Sequence, residues 1–171
     1  MTNTFSATSL HRARFVDPRL LSVAIPALAR CAVDFGITED QSRTAAEQQA
    51  KFDAGVSKVK PGPKATHMIQ PDGTSKGLDL VPWIDGRFQW GDKDWKVVTK
   101  DGRVLLPFHE IAVAMRHEAI VQAVPIRWGA VWDRRLNDLP ADVQGMVKAI
   151  EAYKVRKGGK AFLDGPHFET I

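Results

Sequence analysis

Gly77-Leu78-Asp79-Leu80-Val81-Pro82-Trp83-Ile84-Asp85-Gly86 is the stretch from which the architecture of this chain can be read outward. Leu78 to Trp83 has the apolar density of a short strand, and Asp85-Gly86 is a dipeptide that favours a tight turn. Upstream, residues 57–76 are rich in Pro, Gly, Lys and Thr and read as a long loop. Before that loop, Thr44-Ala45-Ala46-Glu47 has the form of a capping box, opening a helix that should end at Gly55 in a left-handed conformation. Residues 33–38 have the composition of a short strand. Asp17-Pro18 reads as the cap and first residue of a helix carrying Leu20, Leu21, Ala24, Leu28 and Cys31 at helical spacing, with Pro26 expected to kink it. Residues 1–16 form a short basic lead-in containing His11, Arg12 and Arg14, so residues 17–171 are read as the working domain.

Downstream, residues 88–106 contain a second turn at Asp101-Gly102. Residues 107–124 form the clearest helix, with a stripe of Ile111, Met115, Ala119 and Val121 or Gln122, stopped by Pro125. Residues 126–128 read as a short strand. Residues 140–153 read as a second amphipathic helix with Val143, Met146, Val147 and Ile150 inward. Lys157-Gly158-Gly159-Lys160 is a loop, and residues 161–171 form a short closing segment. Helices and short strands mix without a regular strand–helix alternation, which points to a small single α+β domain.

Bulk properties exclude several classes. The chain has 171 residues, 44% hydrophobic and 26% charged, enough for one core without disulfide support. The lone cysteine, Cys31, lies in an apolar segment and reads as a buried thiol. No apolar run approaches the roughly 18 residues that cross a bilayer, so no membrane insertion is expected. No export signal is visible, and synthesis in a cytoplasm is expected. The net charge of +4 favours approach to polyanions. The basic residues are scattered and carry no nucleic-acid motif, so no nucleic-acid partner is expected.

Five histidines are present. His109 and His117 share one face of the clearest helix without a Glu-x-x-His pattern and read as packing or surface residues. His11 reads as solvated. His167 differs, because Asp164-Gly165-Pro166 makes a turn that hands it to the first position of a strand, with Asp164 able to face the same side. Asp79, between two leucines on an apolar strand, is costly there unless paired or bound to a cation. His67 lies in the loop leading to it. His67, Asp79 and His167 would make a two-histidine, one-carboxylate zinc set with an open fourth position. The same residues also admit a plainer reading, a surface histidine and an edge-strand aspartate.

Several segments, taken in order, resemble the phage endolysin L-alanyl-D-glutamate peptidases and the related VanY/VanX-like zinc peptidases. They are Ile37-Thr38-Glu39 with Arg43-Thr44, Gln48-Gln49 and Ala54-Gly55-Val56-Ser57-Lys58, then Gly77 to Gly86, then Ile111 to Arg116, then Pro125-Ile126-Arg127-Trp128-Gly129, and finally Asp164 to Glu169. The resemblance runs from about residue 17 to the end. It implies an α+β domain with a short antiparallel sheet flanked by helices. It implies a zinc ion on His67, Asp79 and His167, with Asp164 as general base. Arg43 would hold a substrate carboxylate or the developing oxyanion; its plainer reading is a helix-start residue paired with Glu39 or Glu47. Trp83, Trp90, Trp95, Trp128 and Trp132 are many indoles for this length. Some of them are core and one or two are expected to line the peptide groove, with Trp128 taken beside Arg43 as the candidate substrate contact.

The family pattern places the first histidine and the aspartate seven residues apart; here His67 and Asp79 are twelve apart, and Ala65 stands where the pattern has serine. The extra residues, around Gln70 to Gly73, are read as a longer loop tip between two ligands that stay in place. The implied activity is hydrolysis of an amide bond in the peptidoglycan stem peptide, L-alanyl-D-glutamate first, for host-cell lysis. A monomer is expected, released onto periplasmic peptidoglycan from the host cytoplasm through membrane lesions made by a holin-type partner. A D-Ala-D-Ala carboxypeptidase or dipeptidase is the competing enzyme reading, and a non-catalytic basic wall-binding module the competing reading of another class.

Overall fold

The computed structural model describes residues 2–171. Side-chain caps start most of its helices. Ser6 caps α1 (Ala7–Arg12) by accepting from the Ser9 amide. Asp17 caps α2 (Pro18–Arg30), with Pro18 in the first turn where no N–H is needed, and α2 continues past Pro26 to Arg30. Thr44 and Glu47 complete the capping box of α3 (Ala45–Asp53), which gives way to Gly55 at φ 71°. Of the segment 1–16 read as a lead-in, Met1 lies outside the described residues; the rest contributes α1, and Ala13 and Val16 lie in the core.

The central helix α4 (Pro107–Val121) stops three residues before the expected end. Ala123 turns left-handed at φ 54°, and the Val124 amide returns to the Ala119 carbonyl at 2.9 Å, which closes the helix. Ile111, Met115 and Ala119 are buried as expected, whereas Val121 faces solvent. α5 (Val143–Arg156) begins later than Pro140, because Asp142 caps it by accepting from the Gly145 amide at 2.8 Å.

The strands are short and antiparallel. β1 (Phe35–Gly36), β3 (Val81–Ile84) and β4 (Arg87–Phe88) form one sheet, in the order β1-β3-β4. β2 (Gly77–Asp79), β8 (His167–Thr170) and β7 (Ile126–Trp128) form another, in the order β2-β8-β7. β5 (Val97–Val98) and β6 (Val104–Leu105) make a separate hairpin. Residues 78–83 are therefore not one strand: β2 and β3 belong to different sheets. Leu80, between them, donates its N–H to the Pro166 carbonyl at 3.0 Å. Leu80 and Val81 are both fully buried, so the alternation of a single strand breaks at that point. The Asp85-Gly86 turn is present, with φ 55° and 82°, and it joins β3 to β4.

The core lies between α2, α4 and the β2-β8-β7 sheet. Phe168 of β8 stacks on Trp128 of β7 with ring centroids 6.4 Å apart, and neither side chain is accessible. Arg30 of α2 reaches the mostly buried Glu118 of α4 at 2.7 Å. Thr170 at the end of β8 donates to the capping carboxylate of Asp17 at 3.1 Å, tying the sheet to the start of α2. Cys31, at the C-terminal end of α2, is buried as expected, and burial pushes its thiol up to about 11.

His109 on α4 is packed between Trp95 and Trp128, each 5.9 Å away by centroid, and its Nδ1 has no hydrogen-bond partner. Burial pushes its pKa down to about 4, so the folded state keeps it neutral. An unfolded histidine titrates near 6.5, so the folded state gains stability that is complete above that value and lost as pH falls toward 4. Between pH 7 and pH 5 the wild type is expected to lose about 2 kcal/mol more stability than a His109→Phe variant. Urea unfolding of both proteins at the two pH values measures it; parallel losses would show that His109 does not drive the acid sensitivity.

Candidate metal centre

Strand register places the first two ligand candidates. β2 and β8 pair so that Asp79 stands opposite His167, Leu78 opposite Phe168 and Gly77 opposite Glu169. The loop carrying His67 is then laid beside them by backbone bonds. The Arg43 amide donates to the His67 carbonyl and the Ile69 amide to the Arg43 carbonyl, both at 2.8 Å. The amides of Lys76 and Gly77 both donate to the Thr66 carbonyl, at 2.7 and 2.9 Å. The extra residues form the expected tip. Gln70 donates to the Thr74 carbonyl at 2.8 Å, Gly73 takes φ 83°, and Asp72 accepts from the Thr74 amide at 2.9 Å. The chain leaves and returns there without displacing His67.

The three candidates converge. His67 Nε2 lies 3.1 Å from His167 Nδ1 and 3.3 Å from Asp79 Oδ1, and His167 Nδ1 lies 3.1 Å from Asp79 Oδ1. Three donors on a tetrahedral zinc ion at about 2.0 Å would stand about 3.3 Å from one another, so this triangle matches one face of such a site. The atoms behind the triangle fix its chemistry. His67 Nδ1 lies 2.8 Å from the Gln41 carbonyl, which only accepts, so this nitrogen carries the proton and Nε2 is left bare. His167 Nε2 faces Glu169 Oε2 at 3.2 Å, so it donates there and leaves Nδ1 for a metal. Glu169 is held by Arg127 at 2.8 Å, its partner across the β7–β8 ladder. The Asp79 amide donates to Gln41 Oε1 at 2.6 Å.

Electrostatics agree with a cation site. Burial alone would raise the Asp79 carboxyl, but the adjoining imidazoles of His167 and His67 outweigh it and hold the group far below the usual carboxylate range. Burial works against a charge on His167, yet its bonds to Asp79 and Glu169 hold its pKa at about 9.

The triangle opens on a cleft of about 400 Å³ lined also by Arg43, Asp164, Trp132 and Phe162. Burial raises the Asp164 carboxyl above its ordinary value, partly opposed by the nearby His167. Arg43 reaches the buried Gln48 at 3.4 Å and forms no ion pair among the described residues, so the pairing with Glu39 or Glu47 that would make it merely structural is not formed.

Trp128 is not in the cleft. It is wholly buried, and its indole N–H donates to the Gly165 carbonyl at 2.7 Å. It cannot contact substrate; it clamps the turn that carries Asp164 and His167. Gly129 grips the same turn twice, its amide donating to the His167 carbonyl at 2.9 Å and its carbonyl accepting from the Asp164 amide at 3.0 Å. A β-carbon on Gly129 would lie 2.9 Å from the Asp164 Cβ, so only glycine allows this approach. The indole turned toward the cleft is that of Trp132, stacked against His167 at 5.2 Å and Phe162 at 6.1 Å.

Two supporting residues were not singled out from sequence. Glu169 had a signal, since a residue two positions after His167 on a strand shares its face. Gln41 acts partly through a main-chain carbonyl, which no residue type announces. If the triangle holds a metal ion, a Glu169→Gln protein is expected to bind it roughly 10- to 100-fold more weakly, because the second nitrogen of His167 loses its charged acceptor. Isothermal titration with zinc reads this directly, and unchanged affinity would remove Glu169 from the site.

A model of the phage L-alanyl-D-glutamate peptidase family matches residues 1–171. The crystal structure of Serratia marcescens L-Ala D-Glu endopeptidase ChiX is similar to this fold, with a TM-score of 0.63 and 25% sequence identity, covering 98% of this chain and 90% of that one. Among curated protein sequences, none matches.

Proposed function

Since the chain belongs to the phage L-alanyl-D-glutamate peptidase family, a peptidase acting on peptidoglycan stem peptides, we propose that it is a zinc-dependent endolysin whose metal sits on His67, Asp79 and His167. The observation that carries this reading is the triangle of three donor atoms 3.1 to 3.3 Å apart, with both imidazole tautomers set by Gln41 and Glu169. The scissile bond is the amide between L-alanine and D-glutamate, the bond cut by the structurally similar Serratia enzyme.

Bound zinc supplies Lewis acidity and lowers the pKa of water to about 7. The chain's own groups do the rest. Asp164, its proton affinity raised by burial, accepts a proton from the attacking water and delivers one to the departing amine of glutamate. Arg43 brings a fixed positive charge to the cleft, where it offsets the negative charge developing on the carbonyl oxygen. Trp132 covers His167 and limits the access of bulk water to the ligands. Among the described residues no helix is long and apolar enough to cross a membrane. The protein acts as a monomer on periplasmic peptidoglycan, reached from the host cytoplasm through lesions made by a holin-type protein; support for this comes from the phage family alone.

Incubation with purified sacculi, followed by mass spectrometry of the released muropeptides, tests the reading. New alanine carboxyl ends and glutamate amino ends are expected, abolished by a chelator and restored by zinc. Cleavage that survives chelation would overturn the metal assignment, and ends between two D-alanines would overturn the bond.

A further inference from the structure

The cleft carries four basic side chains on one stretch of chain: Arg43 just before α3, Lys51 within it, and Lys58 and Lys64 in the loop that follows, with Glu39 the one carboxylate that lines the cleft from the same part of the chain. Among the described residues none of the four forms an ion pair, so their charges are open to a ligand in the cleft. The loop is anchored: the buried Gln48 donates through Nε2 to Ser57 Oγ at 2.9 Å and to the Val59 carbonyl at 2.6 Å, while its Oε1 accepts from Arg43. Lys58 is thereby carried on a segment tied to the same residue that positions Arg43. The apolar side chains Trp132 and Phe162 belong to the other half of the chain and stack on each other.

A bond between alanine and glutamate has unlike halves. The acyl half offers a methyl group. The amine half carries glutamate, and whichever of its two carboxyl groups continues the chain, the other remains as a free carboxylate. On the proposed reading of this site, we propose that Lys51, Lys58 and Lys64, which extend the positive edge beyond Arg43, recognise the free carboxylate of the glutamyl half, which orients the peptide with its alanyl half against Trp132 and Phe162. Lys58 and Lys64 are then specificity-determining residues, because they are exposed, unpaired and outside the metal shell. Charge complementarity of this kind selects among substrates more than it adds affinity.

The test uses two synthetic stem peptides, identical except that the free glutamyl carboxylate of one is converted to its amide. The zinc-loaded wild type is expected to cleave the acid about tenfold better in kcat/KM, an effect two exposed charge pairs can supply. Lys58→Ala/Lys64→Ala is expected to lose about tenfold on the acid, to cleave the amide unchanged, and so to lose the discrimination. High salt should narrow the wild-type preference in the same way. Equal cleavage of both peptides by the wild type would overturn the proposal, as would discrimination that survives in the double variant. Binding of both peptides to zinc-loaded Asp164→Asn protein separates the two layers. Selective binding of the acid without cleavage by the wild type would remove the peptidase reading and keep the carboxylate-reading wall.

Discussion

An Asp164→Asn protein is expected to keep one metal ion per chain at near-normal affinity and to hydrolyse stem peptides about 10²- to 10⁴-fold more slowly, the usual size of a lost general base. Asparagine preserves the shape of the side chain, and the turn itself is held by main-chain bonds. Gly129 grips Asp164 and His167 through its amide and carbonyl, and Trp128 holds Gly165. The ligand triangle should therefore survive while the proton acceptor is lost. Metal content by atomic absorption and kcat on a synthetic stem peptide give the two readouts. A normal rate with normal metal content would mean that another group takes the proton. His167→Ala should behave differently and lose the metal and the activity together, because Asp79 and His67 alone leave a two-donor site.

The second large effect is expected at a residue with no functional group. A β-carbon on Gly77 would lie 3.0 Å from His167 Cε1, 3.0 Å from Thr66 Oγ1 and 3.1 Å from His67 Nε2. Those contacts are tighter than ordinary packing, so the imidazoles must give way by a few tenths of an ångström. Neither has room to move freely, since His67 is tied to Gln41 and His167 to Glu169. A Gly77→Ala protein should fold, because β2 keeps its ladder with β8, but its zinc affinity should fall by roughly 10- to 100-fold, the scale seen when ligand orientation is disturbed. Zinc titration alongside circular dichroism separates the two. An intact fold with unchanged affinity would show that the site tolerates the shift.

Much of this was readable from residue types in order. The caps at Asp17 and Thr44, the turns at Asp85-Gly86 and Asp101-Gly102, the buried face of α4 and the strand start at His167 all follow from local chemistry, and the structure has them. The split between β2 and β3 was not readable, because partners far along the chain decide it: β8 takes Gly77 to Asp79, and β1 takes Val81 and Pro82. The consecutive burial of Leu80 and Val81 is its trace. Trp128 carried a misleading signal. Five indoles in a chain of this length suggest that some line a groove, yet this one spends its N–H on Gly165 in the interior. Gln41 was invisible because half of what it does is done by its backbone.

The excursion from Gln70 to Thr74 has a practical consequence. Its exposed tip, Pro71-Asp72-Gly73, is not among the residues lining the cleft, and the ligands on either side are pinned by bonds that bypass it. The contour length between His67 and Asp79 is thus decoupled from their spatial separation, and loop tips of this kind accept inserted sequence with little thermodynamic penalty. Cargo grafted between Asp72 and Gly73, such as an affinity tag or a wall-targeting module, would ride on the enzyme without entering its catalytic face.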